Sequence, residues 1–386
     1  MQKILFGRIA LAGFMLLGAA PAGAAVTSAP ERVQVVRIGF SGPLTGPNAV
    51  IGVDALNGMQ IAVDRLNQQG IEIDGKSLRF ETVVRDDQSD PQRGLEIARE
   101  LAGSGISALL GPVNSGVALA VVKTYNDAQT PVLTAASNPK VTQAGLPYVF
   151  RIVASDGDIG AKMAQYASRN LKLRSVAVID DGSPYAQGLI DAFQKSAKGL
   201  GMQSLQRELV PEQAAESVAA DALQRIRDGG AQAVFIGAYS MQSGRLIKLM
   251  RQMKIDVPVM GGDALCSAAV AKVAGDAVKD NTYCVLGGAW LTKAADGAVF
   301  AAGFQRKFGR VPDVYAASYF DGVMLLAQAI KSTGSLEGSQ LMSALARTRY
   351  KGITASYEFN AQRDLKESTV TILRFKGGEL SPLASF

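Results

Sequence analysis

Histidine is absent from the 386 residues. That removes the commonest general base near neutral pH and the commonest metal-binding side chain together, and hydrolase and zinc readings lose their main support. Cysteine is nearly absent: Cys266 and Cys284 stand alone, with no C-x-x-C pair and no histidine to activate a thiol, so catalytic use of either is disfavoured. There is no G-x-G-x-x-G, no Walker A motif and no G-x-S-x-G elbow, so the signatures for a dinucleotide, a nucleoside triphosphate or a hydrolase nucleophile are missing. Charge clusters are missing as well. The net +6 comes from 40 basic and 34 acidic residues scattered along the chain, which argues against a nucleic-acid surface. No metal, cofactor or catalytic residue is expected.

What is present begins at the N-terminus. Lys3 and Arg8 form a short basic region, an apolar stretch runs from Ile9 to Ala20, and Ala22-Gly23-Ala24 offers the small residues an export peptidase reads. This is the layout of a cleavable signal peptide, residues 1–24. The competing reading, a membrane anchor, meets an apolar run shorter than the roughly 20 residues a spanning helix needs. Export predicts a mature chain in the periplasm. There, two cysteines are most simply a Cys266–Cys284 disulfide; two buried free thiols are the alternative. The remaining length accommodates two cores, and 48% apolar residues suit a well-packed α/β protein.

Strand and helix signals alternate. Val33 to Phe40, Leu78 to Val84, Ile106 to Leu110 and Pro131 to Ala135 read as strands. Helical spacing follows the first from Ala55 to Leu66, Asp90-Pro91 opens another helix, and Ser115 to Asp127 is a third. After a break near Phe150 to Asp158 the pattern repeats, with strands at Ser175 to Ile179, Ala233 to Ile236 and Val257 to Met260. The tail reads as helices over Val311 to Thr333 and Gln340 to Ala346, then strands at Ser356 to Phe359 and Thr369 to Phe375. Alternation of this kind predicts two doubly wound α/β lobes with parallel sheets.

Ligands of such sheets sit beyond the carboxyl ends of the strands. The residues there are Asn114 and Ser115, then Ala135, Ala136 and Ser137, then Tyr185, Tyr239 and Asp263. Small hydroxyls, exposed backbone, two tyrosines and one acid bind rather than react. Ser115 beside free backbone N–H groups suits a carboxylate, although a plain helix cap reads the same way. Ser137 and Asp263 carry that ambiguity too, and the tyrosines read equally as half-buried aromatics. The pairs Asp86-Asp87 and Asp180-Asp181 suggest a metal or an acid/base couple only weakly. Adjacent side chains on extended backbone point apart, and solvated turns are the plainer reading.

The stretches Ile38 to Gly46, Asp86 to Pro91, Gly111 to Ser115, Ala135 to Pro139, Tyr185 to Gly188 and Gly261 to Asp263, in this order and spacing, resemble the periplasmic branched-chain amino-acid (Leu/Ile/Val-type) binding proteins of ABC transporters. The resemblance implies a type 1 periplasmic-binding fold: two Rossmann-like lobes joined by a multi-strand hinge that close like a Venus flytrap. The lobes would be 33–154 with about 288–360, and 155–287 with about 361–386. It implies that Ser115, Ser137 and nearby N–H groups hold a ligand carboxylate. The Ala135 carbonyl, the Ser137 hydroxyl and Asp263 would hold its ammonium, and Tyr185 and Tyr239 would close from the second lobe. Its partners would be a small amino-acid-like molecule and the membrane permease subunits of an ABC importer, with the chain itself a monomer and no enzyme. Asp263 stands where the family often has Glu, Val50-Ile51 where it has a tyrosine, and Val113-Asn114 and Val314-Tyr315 where it has side-chain pocket residues. An amide, urea or aromatic acid therefore stays open as ligand, as does a sensory receptor as partner.

Overall fold

The computed structural model describes residues 32–386; the expected signal peptide lies outside them. The first sheet comprises β1 (Arg32–Gly42), β2 (Ile71–Ile73), β3 (Lys76–Asp86), β4 (Ala108–Leu110), β5 (Val132–Thr134) and β6 (Val149–Arg151), in spatial order β2-β3-β1-β4-β5-β6. Helices α1 (Ala49–Gln69), α2 (Pro91–Ala102), α3 (Ser115–Asp127) and α4 (Lys140–Gln143) link them. The second half repeats the scheme with β7 (Ser175–Asp180), β8 (Gln203–Leu209), β9 (Val234–Gly237), β10 (Val259–Gly261) and β11 (Thr282–Leu286). It adds α5 (Asp156–Arg169), α6 (Pro184–Gly199), α7 (Glu216–Asp228), α8 (Ser240–Gln252) and α9 (Ala268–Ala274). The chain then returns to the first sheet with α10 (Gly297–Phe308), α11 (Ala316–Thr333), α12 (Gly338–Arg347) and the ribbon β12 (Tyr350–Lys351), β13 (Ser356–Tyr357). It finishes on the edge of the second sheet with β14 (Thr371–Lys376) and β15 (Glu379–Ser385), giving the order β15-β14-β11-β10-β9-β7-β8.

The central strands of both sheets pair in parallel. Parallel strands covered by helices on both faces need apolar side chains on both. In the second sheet Val176, Val178 and Phe235 enter one core, and Ala177, Ile179, Val234 and Ile236 the other. The strand order reverses between β1 and β4 in the first sheet and between β7 and β9 in the second, which sets a crevice at each switch point.

The tail differs from the sequence reading. The expected helix over Val311 to Thr333 starts only at Ala316, because the buried Asp54 carboxylate of α1 accepts the N–H groups of Asp313, Tyr315 and Ala316 at 2.8–3.0 Å. That holds the preceding loop open. The expected strand from Ser356 to Phe359 is split: Ser356–Tyr357 pairs with β12, and Phe359 makes an isolated antiparallel bridge to Leu365. Strands β8, β11 and β15 and helices α5, α7 and α10 are present in addition to the elements expected from the sequence.

Helix α11 is buried along most of its length and lies across α1. At the crossing a Cβ on Gly58 would stand 1.8 Å from the Ala316 carbonyl oxygen, a backbone atom that cannot step aside. Gly58→Ala should therefore cost about 3 kcal/mol, the upper end of ordinary overpacking. A urea midpoint equal to that of the wild type would refute this contact.

Three segments pass between the sheets, and they bond to one another. The Ala154 N–H reaches Gly287 O at 3.4 Å, Ala289 N–H reaches Thr354 O at 2.8 Å, and the Thr371 hydroxyl donates to Gly288 O at 2.9 Å.

Candidate functional site

The first-lobe part of the site is built on α3 and on the turn after β5. Asn114 is the N-cap of α3 but makes no side-chain cap bond, and Ser115 is the first helical residue rather than the cap. The Ser115 Oγ accepts the Asn138 N–H at 3.3 Å, which leaves its own hydroxyl hydrogen and the end of a 13-residue helix for an anion. The turn Ala135 to Asn138 is shaped from beneath. The Thr134 hydroxyl donates to Pro112 O at 2.6 Å and accepts the Ala136 N–H at 3.0 Å. Arg151, fully buried, donates to Asn138 O at 3.0 Å, to the Ala136 carbonyl and to the Thr142 hydroxyl, and pairs with Asp364 at 2.6 Å.

The second-lobe part follows β7, β9 and β10. Ser183 caps α6, accepting the Ala186 N–H at 3.1 Å, and so fixes Tyr185 in the first turn. The rings of Tyr185 and Tyr239 stack with centroids 5.0 Å apart. Asp263 opens a 3-10 turn, Asp263–Cys266. One carboxylate oxygen accepts the Tyr185 hydroxyl at 2.8 Å and the Ala264 N–H at 3.0 Å; the other accepts the Tyr315 hydroxyl at 2.9 Å. Burial pushes the Asp263 carboxyl above its ordinary pKa, and the two tyrosine hydroxyls and the backbone pull it back. The expected disulfide is formed: Cys266 ends this 3-10 turn and is bonded to Cys284 of β11, with Cα atoms 5.4 Å apart.

The lobes are closed on each other. Tyr315 belongs to the segment held by Asp54 of the first lobe, so its bond to Asp263 crosses the cleft. The Asn138 amide donates to Pro184 O at 2.6 Å. Asp313 accepts the Ser267 hydroxyl at 2.6 Å and the Ala268 N–H at 3.2 Å, and so caps α9 from the opposite lobe. All eight expected binding residues are buried, none more than 8% exposed. Tyr185, Tyr239 and Asp263 meet directly, and Ser115 meets the Ser137 turn through Asn138. Asn114 lies against the Tyr239 hydroxyl, yet neither atom of its amide completes a hydrogen bond.

The acid pairs read as solvated turns are turn acceptors, but three of the four are buried. Asp87 accepts the Ser41 hydroxyl at 2.8 Å, while Asp180 and Asp181 accept the N–H groups of Gly182 and Ser183 at 2.8 Å. Among the described residues no group of acids and cysteines is arranged to hold a metal. A cavity of about 460 Å³ lies on the hinge side of Asp263 and Tyr315, walled by Trp290, Leu286, Val314 and Phe375. It does not include Ser115, Ser137 or Tyr185.

Two residues of the site escaped the sequence reading. Arg151 stands inside the apolar run Val149 to Val153, and a charge in such a run marks a buried ion pair. Asp156, the first residue of α5, looks like an ordinary first-turn acid. It is fully buried, and its N–H donates to Ser137 O at 2.8 Å. Burial first, and the Asp263 charge second, push its carboxyl well above the ordinary range, against Ser137 and Arg151.

A family model of periplasmic binding proteins matches residues 35–379. The Leu/Ile/Val-binding protein homolog 1 of Brucella abortus is 28% identical over 382 residues, covering 98% of this chain and 97% of that protein. The Leu/Ile/Val-binding protein BraC3 of Rhizobium johnstonii is 26% identical over 361 residues, 92% and 96% of the two chains. Among solved structures, the branched-chain amino acid transporter substrate binding protein LivJ of Streptococcus pneumoniae, in complex with isoleucine, superposes with a TM-score of 0.82 at 25% identity, covering 91% of this chain and 99% of LivJ. A solute binding protein of R. palustris in complex with benzoate shares the fold, with a TM-score of 0.81 at 22% identity, covering 91% and 96%. These relatives are named for binding and transport, not for catalysis.

Proposed function

The chain belongs to the periplasmic binding protein family, and we propose that it captures an amino acid, branched-chain or otherwise small and aliphatic, and presents it to the permease subunits of an ABC importer. The observation that carries this reading is the opposed polarity of the two lobes. The open end of α3 with Ser115 lies on one side, the Asp263 carboxylate lies on the other, and both are buried when the lobes close. A zwitterion leaving water needs both of its charges paired. Ser115, Ser137 and the α3 N–H groups take the carboxylate; Asp263, Ser137 and the Ala135 carbonyl take the ammonium; Tyr185 and Tyr239 cover the side chain. Bridging the lobes lets the ligand favour the closed state by its differential affinity. We place the lobes at 33–154 with 288–360 and at 155–287 with 361–386, and we place the chain in the periplasm as a monomer, exported through a signal cleaved near Ala24.

The ligand's side chain has a second reading. The unbonded Asn114 amide favours a ligand with a polar group there, because an aliphatic one leaves that amide unsatisfied at about 1–3 kcal/mol. One screen tests both readings. Ligand at 100 times its dissociation constant stabilises the native state by about 2.7 kcal/mol, so a panel of L-amino acids, amides, urea and benzoate should give one or a few melting shifts of several degrees. Shifts with leucine, isoleucine or valine support the first reading, and shifts with asparagine or threonine the second. Silence from every amino acid would sink the proposal.

A further inference from the structure

Both carboxylate oxygens of Asp156 are buried and neither has a hydrogen-bond partner. Such a group is costly to bury and rarely left so. It is enclosed between the lobes: a Cβ on Gly188 of α6 would lie 3.2 Å from its Oδ2 and 2.7 Å from the Asn138 amide nitrogen. Its charge is felt by Tyr185, Tyr239 and Tyr315, and by Asp263.

Four of the side-chain donors around it are already engaged, those of Asn138, Arg151, Tyr185 and Tyr315. The Asn138 amide donates to Pro184 O. The Arg151 guanidinium is shared between Asp364, Thr142 and the carbonyls of the Ser137 turn. The Tyr185 and Tyr315 hydroxyls both donate to Asp263, and that of Tyr239 faces Asn114. Ser137 lies against the carboxylate without reaching hydrogen-bond geometry. Asp263, by contrast, has a tyrosine hydroxyl on each oxygen before any ligand arrives. The acid that lacks partners in the closed site is Asp156.

We infer that Asp156 is a second counter-ion of the ligand, so that a bound molecule must carry an ammonium group set between Asp156 and Asp263. This rests on the amino-acid reading of the site and narrows it. An ammonium has three N–H donors; one goes to each carboxylate and the third to the Ala135 carbonyl, so Asp156 takes the place given above to the Ser137 hydroxyl, which is left to donate to the ligand's carboxylate. A carboxylic acid without an ammonium would bring a negative charge to a site lined by two buried acids, whose nearby buried cation, Arg151, is already paired, and would bring no donor to either acid. Acids of the benzoate type are thereby excluded as ligands.

Calorimetric titration of the mature chain tests the inference, with the best L-amino acid of the panel set against its des-amino acid; for L-leucine that acid is 4-methylpentanoate. Benzoate serves as a third probe. The wild type should bind the amino acid and show no heat with either acid at millimolar concentration. Asp156→Asn should weaken the amino acid at least about 100-fold, the scale expected for an ion left half-paired. The same variant should keep or raise the unliganded melting temperature, since it removes a buried acid that has no hydrogen-bond partner. A merely structural Asp156 would do the reverse, lowering that temperature and sparing affinity. Amino-acid affinity within threefold of wild type in Asp156→Asn overturns the inference and leaves the proposed function standing. So does a des-amino acid that binds the wild type as well as the amino acid does, a comparison that needs no variant to fold. A wild type that takes benzoate but no amino acid overturns both.

Discussion

Asp263→Ala should lose about 3–5 kcal/mol of amino-acid binding, about 150-fold to several thousand-fold in dissociation constant, because it leaves the ligand's ammonium buried and short of a partner. Two further losses point the same way. The Tyr185 and Tyr315 hydroxyls lose their acceptor, and the Tyr315 bond is one of those that hold the lobes together. The variant should therefore close less completely as well as bind less tightly. Titration calorimetry gives the first effect and small-angle scattering with and without ligand the second. Affinity within threefold of the wild type would mean that the ligand has no cationic group at this acid.

Removing Arg151 should have the largest effect on stability. Its guanidinium is fully buried, joins β6 to Asp364, and supports the carbonyls of Ala136 and Asn138 from below. Arg151→Ala would strand a carboxylate and two carbonyls, for about 3–5 kcal/mol by denaturant unfolding. Affinity should fall too, because the Ser137 turn loses its floor. The double variant Arg151→Met with Asp364→Leu should recover part of the loss, since replacing both partners of a buried pair is milder than breaking it. A single variant that loses under about 1 kcal/mol would show that water reaches the pair and substitutes for the arginine.

The sheets were legible in sequence because their signals are local. The β-branched runs of β1 and β7 and the Asp90-Pro91 start of α2, where Asp90 accepts the Gln92 N–H at 2.8 Å, depend on neighbours only. The start of α11 was not legible, since it is set by Asp54, more than 250 positions away. The site divides in the same way. Ser115, Ser137, Tyr185, Tyr239 and Asp263 lie just past the carboxyl ends of strands, where a parallel sheet presents its ligand-binding groups. Their positions were therefore legible once the strands were. Asp156 follows the carboxyl end of the parallel strand β6, but the sequence reads as a break there and shows no strand; Tyr315 adjoins no strand end of that kind. They matter because the opposite lobe folds over them, and nothing within a few residues of either announces it.

The crossing of α11 over α1 also bears on time. Gly58 and Ala316, which touch there, leave the ribosome about 260 residues apart, an interval of roughly 13–50 s at ordinary elongation rates. Throughout it β1 and α1 exist without the helix that covers them, and the first lobe cannot complete its core until most of the second has been made. Synthesis order and folding order are thus out of step: the half that begins first waits for α11, and the second half is completed last, by β14 and β15.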